Sequence, residues 1–212
     1  MAAKGKWAQG IQPRHFHWVI KDQLAICERP GGFGANHRKV RRQEEIIWIR
    51  EQAFDLVISV SAAPNNLHSY DELGVKWRHW PLASGEDLPR YLQQSYTELR
   101  RLLTERKRLI FHQDELSDRL IGFLAGYLVW NSMVTEPPKA IALTEHIAGR
   151  QIGADGRHIV GEAARLLEQA ELARQSVAAG GGTSAQADQT GPATDIGAES
   201  SEPEQAERPE PS

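Results

Sequence analysis

The residues of this 212-residue chain with the clearest capacity for chemistry lie in one short stretch, His112-Gln113-Asp114-Glu115-Leu116-Ser117-Asp118-Arg119. An imidazole, three carboxylates and a guanidinium within eight positions offer anion binding, acid–base chemistry or metal ligation. The stretch is preceded by Leu109-Ile110-Phe111, an unbroken apolar run that predicts a buried strand. It is followed by Leu120 to Trp130, whose length and apolar character predict a buried helix extending to about Met133. A strand feeding a helix through a tight loop makes an anion cradle, because the backbone N–H groups gather at the helix N-terminus. Here the loop carries Asp114, Glu115 and Asp118 against Arg119, with His112 mostly neutral at pH 7. Like charges about 4–6 Å apart repel by roughly 3–4 kcal/mol at an effective dielectric near 20, so a phosphate dianion should bind poorly. Arg119 is expected to pair with Asp118 or Glu115 and hold the loop shut. The same acids do not make a convincing metal site, since alternate residues of a tight loop point apart and Arg119 competes for the carboxylates.

The elements that must position this loop follow from hydrophobic periodicity. Phe16–Ile20 and Leu24–Cys27 predict a hairpin, and Phe54–Val60 a central strand. Val75–Trp80 predicts a half-exposed strand. Helices are expected over residues 37–52, 89–106, 139–148 and 155–177, with a single helical turn at Asp71–Leu73. Glu28 to Gly34 reads as a glycine-rich surface loop carrying Arg29, either a ligand-facing lip or a flexible connection. Strands alternating with helices give an α/β class, a central and mostly parallel sheet flanked by helices.

Composition bounds the rest. A single cysteine, Cys27, excludes an intrachain disulfide and any multi-cysteine zinc site, and no apolar run is long enough to span a bilayer. A cytoplasmic location is expected. Arg outnumbers Lys 18 to 7 and alanine is abundant, as in GC-rich bacterial genomes. Residues 1–15 read as a loose lead-in, 16–177 as one domain and 178–212 as a disordered acidic tail. Residues 179–212 hold seven acids against Arg208, leaving them at −6 and the remainder at +3, for −3 overall. The basic cluster Arg38 to Arg42 reads as a solvated helix face, and nucleic-acid binding as unsupported by so weak a basic excess.

Taken in order, these segments resemble the dual-specificity branch of the protein tyrosine phosphatase superfamily, whose signature is His-Cys-x5-Arg between a central strand and a helix. His112 and Arg119 stand at matching positions. Trp18-Val19-Ile20, Arg29-Pro30, Phe54 to Ile58, Trp80-Pro81 through Pro89 and Ala125 to Val129 resemble the family's flanking segments over roughly residues 16–150. The departures are specific. The nucleophilic cysteine is matched by Gln113, the turn glycine by Leu116 and the hydroxyl after the arginine by Leu120. The general-acid aspartate is matched by Ser84, with Glu86 or Asp87 nearby. The resemblance therefore implies a phosphatase-like protein without catalytic residues or cofactor, in which Arg119, His112 and Arg29 serve binding and a protein partner is engaged. The competing expectation is an active phosphatase or hydrolase using a non-cysteine nucleophile such as Asp114.

Overall fold

Five short, β-branched or aromatic-rich segments supply the sheet. In the computed structural model, which describes residues 9–32, 38–82 and 85–180, they are β1 (His17–Ile20), β2 (Leu24–Glu28), β3 (Leu56–Ser59), β4 (Trp77–His79) and β5 (Leu109–Gln113). The strand order is β1-β2-β5-β3-β4. Only β1 runs antiparallel, pairing with β2, and the other pairings are parallel. Period-two alternation then divides the side chains. Leu24, Ile26, Leu56, Ile58, Leu109 and Phe111 enter one core, and Ala25, Cys27, Val57 and Ile110 enter another on the opposite face. The α/β expectation holds, with helices on both faces of a mostly parallel sheet.

The larger core is closed by α3 (Leu88–Thr104), α4 (Asp118–Trp130), α5 (Pro137–Ala148) and α6 (Ala154–Gly180). All of α4 from Leu120 to Trp130 is buried, which is why its sequence is apolar on every side. Its approach to α6 depends on glycine, because a Cβ on Gly122 would lie 2.4 Å from Gly156 Cα. The smaller core is covered by α1 (Lys39–Glu51) and α2 (His68–Glu72).

Several expectations need correction. The helix expected from residue 139 begins at Pro137, and Pro138 follows it in the first turn of α5, which has no intrahelical use for their missing N–H groups. The helix α2 starts at His68, ahead of the single turn expected at Asp71–Leu73. In α1, Val40 is 68% exposed while Glu45 is buried. The Glu45 carboxylate explains this by accepting the Gly31 N–H at 2.6 Å and Arg41 Nε at 2.7 Å. The end of the lead-in is also tied down: Ile11 donates to Glu44 O, and Arg14 O accepts from the Glu28 amide. The expected disordered tail and the glycine loop from Phe33 onward fall outside the described residues, apart from the last residues of α6.

Candidate functional site

In a parallel sheet the loops that build sites leave the C-terminal ends of the strands. The central strand β5 ends at Gln113, flanked by the ends of β2 and β3. Arg29 follows β2, and its Nη1 lies 2.9 Å from Asp114 Oδ1. Ser61 follows β3, and its Oγ donates to the same oxygen at 3.0 Å. Asp114 is thus held from both neighbouring strands. The Arg29 guanidinium is 11% exposed, and its amide adds a bond to Gln113 O at 2.7 Å. Charge-assisted contacts of this kind fix geometry as well as contributing energy.

The loop is closed by its own side chains. Ser117 caps α4, accepting the Leu120 N–H at 3.3 Å, while its hydroxyl donates to Gln113 Oε1 at 2.5 Å. The residue at the expected nucleophile position therefore serves as an acceptor that joins the strand end to the helix cap. None of residues 113–119 has a positive φ, so the turn normally made by glycine is made here without a left-handed residue. Leu116 is 5% exposed and belongs to the larger core. Among the described residues the amides of 114–118 donate to no protein acceptor.

Asp118 is not the partner of Arg119. Its Oδ1 meets Arg150 Nη2 at 2.8 Å and its Oδ2 accepts the Gly153 N–H at 2.7 Å. Both partners lie in the link between α5 and α6, and Arg150 Nη1 also donates to Leu116 O at 2.5 Å. A side chain at 153 would collide with the carboxylate, since a Cβ there would lie 2.0 Å from Asp118 Oδ2. Arg119 Nη2 reaches instead to Leu82 O at 3.3 Å, beside a cleft of about 160 Å3 lined by Leu88, Asp155 and His158. Replacing Asp118 by alanine is expected to lower stability by about 1–2 kcal/mol, read as a shift in the denaturant midpoint. An unchanged midpoint would show that the Arg150 contact is only a surface ion pair.

His112 is displaced from the role expected of it. Its side chain is 0% exposed and faces the α1–α2 layer, on the side of the sheet opposite Gln113. Burial, and then the nearby Arg29 charge and His79, push its pKa down from 6.5 to about 3, so the ring is neutral at physiological pH. It cannot meet a ligand that approaches from solvent. Its register partners are Cys27 on β2 and Ser59 on β3. Cys27 is fully buried, and burial raises its thiol pKa well above the ordinary range, with Glu45 and Glu28 adding to the effect.

The remaining expected residues scatter. Ser84 lies outside the described residues, while Asp87 precedes α3 and is exposed. Glu115 is exposed and lines a groove of about 340 Å3 with His15, His17, Glu28 and Arg150. Among the described residues no group of three or more His, Cys, Asp or Glu side chains could hold a metal ion. Ser61, Ser117 and Arg150 were not anticipated as site residues. Ser117 had a readable signal, a serine directly before an apolar helix.

No family model matches the sequence, and no curated protein matches it either. Solved structures do. Kinase associated phosphatase with its catalytic-site cysteine replaced by serine superposes with a TM-score of 0.62 at 19% identity, over 74% of this chain and 97% of that one. The active form of Tk-PTP gives 0.56 at 13% identity, over 71% and 97%. The human tyrosine phosphatase-like serine/threonine/tyrosine-interacting protein gives 0.51 at 10% identity, over 76% and 97%. The parallel sheet, the loop after its central strand and the buried helix behind that loop are thus the fold of the dual-specificity and protein tyrosine phosphatases.

Proposed function

We propose that the chain is a catalytically inactive phosphatase-like module that binds or regulates a protein partner. The observation that carries this reading is the use made of the loop: Gln113 stands where a nucleophile is needed, and its side-chain oxygen is engaged by Ser117. An amide is a very poor nucleophile at neutral pH. Cys27 offers no substitute, being 0% exposed on β2 with its pKa raised. Two of the three loop acids are neutralised by Arg29 and Arg150, which makes them structural members of a clasp and not free general bases. No helix among the described residues is long and apolar enough to cross a membrane. A related fold belongs to a protein whose name describes it as phosphatase-like and as an interacting protein, which supports the same direction.

The test is hydrolysis of an aryl phosphate by the full chain and by Asp114→Ala, each with and without magnesium or manganese. Neither protein is expected to turn over above background. Turnover by the wild type that disappears in Asp114→Ala would replace this reading with an aspartate-nucleophile hydrolase.

A further inference from the structure

Behind the clasp, between β5 and the α1–α2 layer, lies a small cavity lined by Arg29, Arg42, Asn65, Asn66, Tyr70 and His112, with Ile46 and Leu67 among its apolar walls. It offers about 10 Å3 to the centre of a water molecule. Among the described residues, Tyr70 Oη, Arg29 Nε and both ring nitrogens of His112 are buried with no hydrogen-bond partner. Tyr70 is 2% exposed and His112 0%, and their rings stand 5.8 Å apart. Leaving a buried polar group unpaired is costly, so several around one cavity call for a shared partner.

We infer that this cavity is a binding site for one structural water, which joins Tyr70, His112 and Arg29 and braces the signature-position loop from within. Size and hydrogen-bond capacity select the ligand. About 10–15 Å3 of such space holds a single water and excludes polyatomic anions such as phosphate. A neutral imidazole presents one donor and one acceptor nitrogen, so its acceptor needs a ligand that donates. Chloride cannot donate and would leave the imidazole acceptor unpaired. Water accepts from Arg29 Nε–H and can also donate to the imidazole or to the Tyr70 oxygen. Arg29 is then the shared member, with Nε on the water and Nη1 on Asp114, so the core is linked to the loop through one guanidinium.

Two measurements on the full chain decide this. A high-resolution crystal structure should show one peak within about 2.6–3.2 Å of Tyr70 Oη, Arg29 Nε and one ring nitrogen of His112. No peak, direct protein partners for all three atoms, or an anomalous signal from a halide would overturn the assignment. The second is amide hydrogen exchange in Tyr70→Phe, which keeps the ring and removes the hydroxyl. Exchange at the Arg29 and Val60 amides, which donate to Gln113 O and His112 O at the base of the loop, should quicken roughly tenfold. Unchanged exchange there would mean that no water links Tyr70 to the loop.

Discussion

Acidifying the folded chain from neutral pH to pH 4 is expected to cost roughly 3 kcal/mol of stability through His112 alone, at about 1.4 kcal/mol per pH unit. The sign follows from the two states. In the unfolded chain the imidazole takes its proton near the ordinary pKa of 6.5, whereas in the folded chain it does so only near 3. Between those values the unfolded state binds the extra proton and is favoured. Stability from His112 is therefore complete above pH 6.5 and lost as pH falls toward 3. Arg29 and His79 reinforce the burial effect, because each resists a second positive charge beside it. Denaturant midpoints between pH 7 and 4 should fall more steeply for the wild type than for His112→Leu, by close to one proton in the linkage slope. Parallel slopes would show that the imidazole is not buried as described. Glu98, held near 2 by Arg101 and Arg78 at the surface, acts only at lower pH and is screened by solvent.

Phe123→Ala is expected to destabilise the chain by about 4 kcal/mol. Phe123 is 0% exposed at the centre of α4, with ring centroids 4.9 Å from Tyr96, 5.9 Å from Phe111 and 6.2 Å from Tyr91. Its carbonyl also accepts the buried Tyr96 hydroxyl at 2.8 Å. Truncation removes the wall shared by β5, α3 and α4, and those elements cannot close the gap without moving the strand that ends in Gln113. A urea midpoint shift much below 2 kcal/mol would mean that the surrounding rings collapse into the space.

The apolar periodicities made the sheet and the long helices legible, because burial is what dictated those residues. The strand Leu109–Phe111 and the helix after it are buried on all sides and read as nearly continuous apolar runs. Where polar residues were pulled inward, the pattern failed. Glu45 sits inside because it meets the Gly31 amide and Arg41, while Val40 is left outside. That exchange depends on the Gly31 amide, 14 residues away and outside α1, which periodicity along one helix does not contain.

The site was legible in its residue types and not in its pairings. The acids of the loop were visible, but the cations that answer two of them come from positions 29 and 150, on either side of the loop in sequence. Only the strand order, which sets β2 and β3 beside β5, and the packing of the α5–α6 link against Asp118 bring these groups together. Weighing the loop acids against Arg119 alone overstates their negative field, because Arg29 and Arg150 stand beside two of them. A place in a motif says nothing of which face His112 takes, whereas strand alternation from the buried Ile110 puts it on the face away from Gln113.

The central claim is that the loop has been rebuilt as a clasp, so that the missing nucleophile is one of several lost functions. Turnover of an aryl phosphate by Gln113→Cys tests it most directly. No turnover is expected, because Asp114 remains held by Arg29 and Ser61, Asp118 remains held by Arg150, and Arg119 reaches to Leu82. Restored turnover in that single variant would contradict it, showing a phosphate cradle intact except for its sulfur.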